Sequence, residues 1–315
     1  MAEVKTIATR DSYGSELVAL GAEDERIIVM DADLSAATKT AGFRKAFPDR
    51  FINAGIAEAN MMGVAAGLST TGKIVFASSF AMFASGRAFE QVRNSIGYPH
   101  LNVKIGATHA GISVGEDGAT HQCCEDIALM RSIPGMTILN PADDVETRQA
   151  VRAAVALSGP VYLRFGRLAV PVLFDDSYKF EIGKGVTLKE GNDVTIVATG
   201  LMVGEALTAA ELLKNEGISA RVINMATIKP LDRDILISAA RETGAIVTAE
   251  EHSVLGGLGG AVAELLSETY PTPVMRVGVE DRFGQSGPAK ELLKLYGLCA
   301  ENIVAKAKAA IALKK

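Results

Sequence analysis

Three features of the 315-residue sequence predict an α/β protein of two domains, each a largely parallel sheet covered by helices. Short Val- and Ile-rich runs alternate with longer stretches of helical spacing, the pattern of strand–helix–strand units. The apolar runs end in polar or glycine-rich turns, where such proteins present functional groups at the carboxyl edge of a sheet. The length suits two cores rather than one. We place the first domain at residues 1–170, a linker at 171–189 and the second domain at 190–315.

In order, a helix is expected from Tyr13 to Ala22, with Asp11 or Ser12 as N-cap. Arg26–Met30 reads as a buried strand running into Asp31-Ala-Asp33, and Phe51–Ala54 as another. Gly55–Leu68 is a helix of small residues, with Gly63 and Gly67 spaced for close packing against a second helix. Lys73–Ala77 is a strand, Ala81–Ile96 a helix and Leu101–Gly106 a strand. Beyond a central loop come a helix over Glu125–Arg131, the strand Met136–Leu139 and a helix over Asp144–Leu157. Asp143 and Glu146 give that helix a capping-box start. Val161–Phe165 closes the domain. The second unit has strands at Asp193–Ala198, Ala220–Asn224 and Ala245–Thr248, and helices at Val203–Asn215 and Leu231–Thr243. Ser286-Gly-Pro288 opens a further helix, and Glu301–Ala312 forms a surface helix.

Composition excludes several classes. The 48% hydrophobic content is that of a soluble globular protein, and a net charge of −5 without a basic stripe argues against nucleic acid. No apolar run is long enough to span a bilayer, and the start lacks a signal-peptide pattern. Cys123, Cys124 and Cys299 have neither metal-ligand nor disulfide spacing, so a cytoplasmic protein with reduced thiols is expected.

Chemistry concentrates in the central loop, Thr108 to Gln122. His109 and His121, two of four histidines in the chain, bracket Gly111, Gly115, Gly118 and the carboxylates Glu116 and Asp117. Glycines permit sharp turns and close approach of a ligand; imidazole and carboxylate groups bind hydroxyls and move protons. A loop whose histidines only cap helices or bond carbonyls is the structural alternative. Glu58 is the only charged residue between Arg50 and Lys73. Buried alone, it would have a raised pKa and could donate a hydrogen bond; facing solvent, it would merely complement the helix dipole. Phe80 and Phe83 are core candidates that could also offer a face to a planar heterocycle. Glu250–Gly260 is glycine-rich but lacks a clean Gly-x-Gly-x-x-Gly, and His252 is read as structural.

Gly-Ile-Ala-Glu58 with its small-residue helix, the Phe80-x-x-Phe83 segment and His109…Gly-Glu-Asp117-Gly-Ala-Thr-His121-Gln together resemble the thiamine-diphosphate-dependent transketolase family. The chain is similar to that family's second half, a pyrimidine-binding domain followed by a C-terminal domain. No Gly-Asp-Gly…Asn segment for diphosphate and metal is found, so the resemblance implies the C-terminal subunit of a split transketolase. Its implied partner is a separate N-terminal subunit that holds Mg2+ or another divalent ion. The implied assembly is a homodimeric core, extended to a heterotetramer.

The resemblance also implies roles. Glu58 matches the glutamate that bonds the aminopyrimidine ring nitrogen, Phe83 and Phe80 the aromatics packed on that ring, and Asp33 a cofactor-site aspartate. His109 and His121 match histidines that contact substrate oxygens and assist proton transfer, and Asp117 the reader of a sugar hydroxyl. Arg10 and Arg167 match arginines that grip the sugar phosphate, with Arg164 a competitor for the second place. Two positions depart: Ala36-Ala37 offers no hydroxyl where the family often has a phosphate-binding serine, and Gly86 stands where an aromatic is common. The expected activity is transfer of a two-carbon ketol unit from a ketose phosphate to an aldose phosphate. Alternatives are a deoxyxylulose-phosphate synthase-like enzyme, a 2-oxoacid dehydrogenase β-subunit-like enzyme, or a non-catalytic partner subunit.

Overall fold

The computed structural model describes residues 5–314. The first half contributes strands β1 (Thr6–Ala8), β2 (Ile27–Asp31), β3 (Phe51–Asn53), β4 (Ile74–Phe80), β5 (Val103–Thr108), β6 (Thr137–Leu139), β7 (Val161–Arg164) and β8 (Ala169–Pro171). The second contributes β9 (Val186–Lys189), β10 (Val194–Ala198), β11 (Ala220–Asn224), β12 (Thr227–Lys229), β13 (Ile246–Ser253) and β14 (Val274–Val279). Among the described residues, one sheet runs β12-β6-β7-β5-β4-β2-β3 and another β14-β13-β10-β11-β9. Pairing is parallel except at one edge of each, where β12 and β9 run antiparallel. Strands such as β4 are buried along their whole length, as a sheet covered on both faces requires. No helix among the described residues is long and apolar enough to cross a membrane.

Chain connections leave β2 toward β3 and leave β4 toward β5, so the direction of winding reverses between β2 and β4. That crevice at the carboxyl ends is where α/β sheets bind ligands. Register brings Asp31 beside Ser78 and Phe80 beside Thr108, so the strands end at one level.

Several boundaries differ from the sequence reading. The first helix starts at Thr9, capped by Ala8 without a side-chain bond, because β1 feeds directly into it. Asp11 and Ser12 fall inside its first turn. Glu58 begins the helix Glu58–Ser69, and Gly63 and Gly67 face open space rather than a second helix. The helix expected over Ala81–Ile96 is broken into wide turns, with five-residue hydrogen bonds from Ala88 N to Phe83 O and from Tyr98 N to Arg93 O. Asp143 accepts from Glu146 N at 2.8 Å, but the returning bond from Glu146 reaches Ala142 N. Pro288 is the N-cap, not the first-turn residue, of Ala289–Leu295. The last helix, Ala300–Ala312, buries Ile303, Val304, Ala307 and Ala310, so it packs on the second core.

The two halves are stitched together. β12, from the second half, pairs with β6 at the edge of the first sheet. Asn224 Nδ2 donates to Glu146 Oε1 at 2.7 Å, and Lys229 Nζ donates to the carbonyls of Arg131 and Ile133. β9 occupies the end of the segment read as a linker.

Candidate active site

Four segments deliver the polar groups that the sequence singled out. β1 pairs antiparallel with β8, and Gly166 N donates to Thr9 Oγ1 at 2.9 Å. These ties bring Arg10, at the start of the first helix, close to Arg167. Beyond β2, Asp31 is buried and accepts from Leu34 N and from the Thr38 and Thr40 hydroxyls at 2.5, 2.6 and 2.9 Å. Burial pushes its carboxyl above the usual range. Asp31 thereby folds the Asp33–Thr40 turn, in which Asp33 and Lys39 take left-handed φ values of 66° and 70°. Lys39 lies against the first helix where Gly14 has no side chain; a Cβ there would stand 2.4 Å from the Lys39 Cβ.

His109 follows β5 and is 3% exposed. Its ring stacks on Phe80 with centroids 3.9 Å apart. Arg10 Nη1 lies 2.8 Å from its Nε2, and Thr108 Oγ1 lies 2.9 Å from its Nδ1. A guanidinium only donates, so Nε2 accepts and the proton sits on Nδ1. Burial first, then the fields of Arg10, Arg167, Lys39 and His121, push the imidazole down to about 3. His109 is therefore a neutral acceptor at physiological pH. His121 stands edge-on to Phe83 at 5.3 Å and to Phe80 at 6.3 Å, with Thr120 Oγ1 beside its Nδ1.

Glu58 is 2% exposed, yet it is not alone. Arg87 Nη1 donates to both carboxylate oxygens, at 2.9 and 3.1 Å, and its guanidinium carbon lies 4.5 Å from the centroid of Phe83. The reading of an isolated carboxylate is corrected: its partner comes from 29 residues downstream, delivered by the wide turn at Met82–Arg87. The carboxylate and the aromatic face are thus neighbours.

Arg164 is not available to a ligand. It is 3% exposed and pairs with buried Asp126, Nε to Oδ2 at 2.8 Å, while Nη2 donates to Glu251 O. Both partners are interior, so this is not a surface ion pair. Arg167 is partly exposed, bonded to the carbonyl of Val114 and to Glu116 Oε2. Asp33 and Asp117 lie at the rim. Both are exposed, and Asp33 accepts from Asn53 Nδ2. Ala37 contributes its carbonyl to Arg10 Nη1 at 3.2 Å instead of a side chain. A Cβ on Gly86 would meet only the flexible end of Met82.

The second half supports the loop from behind. Glu251 Oε1 accepts from Ser113 N at 2.6 Å, and burial pushes this carboxyl up to about 7. Gly111, at φ 81°, has no room for a Cβ because the Glu251 carboxyl carbon would lie 2.3 Å away. Glu250 accepts from Leu258 N and Gly259 N, so the glycine-rich segment caps a helix rather than cradling a dinucleotide. His252 is buried, accepting from Ala128 N and donating to Ser253 O, a structural arrangement.

Sequence reasoning missed Arg87, Lys39 and Glu251. Each lies far along the chain from the residue it serves, and no local spacing marks it. Nothing in the sequence marks Lys39, and Glu251 shows only as one of two adjacent carboxylates in the glycine-rich Glu250–Gly260 stretch.

Comparison with known proteins matches residues 5–172 to the pyrimidine-binding domain of transketolase and residues 183–303 to the transketolase C-terminal domain. A Methanocaldococcus jannaschii chain provisionally described as a transketolase C-terminal section is 54% identical over 297 residues, 93% of each chain. A 6-deoxy-6-sulfo-D-fructose transketolase subunit from a Clostridium species is 47% identical over 295 residues, 94% of this chain and 92% of that one. A solved split-gene transketolase, described as an inactive beta4 tetramer, superposes with a TM-score of 0.92 at 60% identity, covering 98% of this chain and all of its own. This chain belongs to the transketolase family, as a split transketolase-like subunit.

Proposed function

We propose that this chain is the C-terminal subunit of a two-chain transketolase, which transfers a two-carbon ketol unit from a ketose phosphate to an aldose phosphate only when joined to its N-terminal subunit. The observation that carries the reading is the meeting of buried Glu58, Phe80 and His109 with half-buried Phe83 and His121 at the carboxyl edge of one sheet. An interior carboxylate beside an aromatic face fits the two needs of an aminopyrimidine, a polar partner for its ring nitrogen and an apolar surface for its plane.

In this reading Glu58 holds the ring nitrogen of thiamine diphosphate, and Phe83 with Phe80 takes the ring face. Asp33 belongs to the rim of the cofactor site. When bound, the cofactor supplies the electron sink that ketol transfer requires. Mg2+ and the diphosphate fall to the partner subunit. His109, neutral, gives a substrate hydroxyl the Nε2 lone pair that Arg10 occupies in the free chain. His121, at the mouth, moves the proton, and Asp117 reads a sugar hydroxyl. Arg10 and Arg167 hold the terminal anion, a task for which forked donors are suited. A sulfonated sugar in one relative's name keeps the anion's identity open between phosphate and sulfonate. A homodimeric core in a cytoplasmic heterotetramer completes the proposal.

The test is calorimetric and kinetic. Thiamine diphosphate with Mg2+ is titrated into this chain alone and into the chain mixed with its N-terminal subunit, and ketol transfer from D-xylulose 5-phosphate to D-ribose 5-phosphate is followed. Tight binding and turnover in the mixture alone are expected. Glu58→Ala in the mixture should lower kcat by at least about 100-fold, the scale of a lost general acid–base group. Full retention of activity would make the chain a scaffold.

A further inference from the structure

Arg87 holds both halves of the candidate pyrimidine pocket at once. Its Nη1 donates to Oε1 and Oε2 of Glu58 at 3.1 and 2.9 Å, and its guanidinium lies over the Phe83 ring at 4.5 Å. A guanidinium resembles an aminopyrimidine in the features that matter here: it is flat, it carries N–H donors along one edge, and it stacks on aromatic rings.

We propose that Arg87 is a positioning residue that stands in for the cofactor's pyrimidine and must exchange with it. The proposal rests on the pocket assigned above. In the chain as it stands, a carboxylate 2% exposed would be costly without a partner, and Arg87 supplies one. The residue is built to leave. Half of its side chain, 51%, is exposed, whereas Glu58 stays inside. Glu90, exposed three residues further along, accepts from Gln91 Nε2 and Asn94 Nδ2 and keeps lone pairs for the displaced guanidinium. The wide turn at Met82–Arg87 aligns Arg87 with Phe83, so both partners are lost or kept together. Cofactor binding then releases one cation from the Glu58–Phe83 pair for each ring that enters.

The experiment measures affinity directly. Thiamine diphosphate with Mg2+ is titrated calorimetrically into the reconstituted two-subunit complex carrying wild-type chain, Arg87→Ala or Arg87→Gln. Losing a half-exposed ion pair and its stacking contact should lower Kd by about five- to tenfold in both variants. Unchanged or weaker binding in both overturns the proposal, because a residue that assists the ring would lose affinity when removed. Thermal melting identifies a variant that has lost its fold; the Gln variant, which keeps the stem and a donor, then decides. Glu58→Gln and Phe83→Ala are run alongside. If both bind like wild type, the pocket assignment fails, an outcome separate from failure of the exchange.

Discussion

Arg10 donates from Nη1 to Nε2 of His109 across 2.8 Å, and that contact fixes which imidazole nitrogen carries the proton. With the ring pushed down to about 3, the folded chain refuses a proton between pH 3 and 6.5 that the unfolded chain accepts. The stability associated with His109 is therefore whole above pH 6.5 and shrinks as pH falls toward 3. Imidazole nitrogen NMR should show a single Nδ1–H tautomer from pH 8 down to 4.5. In Arg10→Met the titration should move upward, and kcat/KM for a phosphorylated ketose should fall about 10- to 100-fold, the value of a charge-assisted bond.

The two candidate arginines should separate cleanly. Arg164→Met strands Asp126 in the interior and should cost about 3–5 kcal/mol in urea unfolding. Arg167→Met, at a partly exposed position, should leave the unfolding midpoint within about 0.5 kcal/mol and raise KM for the anionic sugar. A reversed pattern would return Arg164 to the phosphate role.

Glu146 couples the halves, accepting from Tyr178 Oη at 2.5 Å and Asn224 Nδ2 at 2.7 Å. Burial pushes its carboxyl up to about 7 from the usual 4.5. Between those values the folded chain holds a proton that the unfolded chain has released, so this group's contribution declines as pH rises from 4.5 through 7. The difference between wild type and Glu146→Gln in urea midpoint should shift in favour of the variant over that interval. A constant difference from pH 4.5 to 8 would refute it.

Gly111→Ala combines a φ of 81° with a Cβ placed against the Glu251 carboxyl. We expect a loss of about 2–4 kcal/mol. Pairing it with Glu251→Ala should recover part of that loss, a coupling measurable in a double-mutant cycle.

Much of the first sheet was legible because its strands are buried on both faces and read as apolar runs; β2 and the Ile74–Ala77 part of β4 are examples, while the extension of β4 through Ser78 and Ser79 to Phe80 was not read. The loop around His109 and His121 was legible from density of unusual residues alone. Ala81–Ile96 was not, because apolar spacing cannot distinguish a regular helix from the wide turns that put Phe83 and Arg87 on one face. Glu58 was found by its isolation in sequence, and the same isolation misled, since ion pairs form in space. The choice between Arg164 and Arg167 needed depth: three residues apart on one strand end, one turns inward to Asp126 and the other to the loop.

The strand β12 has a bearing on modularity. A polypeptide ended after the first half would leave β6 as a bare sheet margin, with its backbone donors and acceptors open to any passing strand. The halves of this chain are therefore not interchangeable cassettes: a chimera that borrows its C-terminal half from a relative must also import a strand able to seal that margin, or it will self-associate along it.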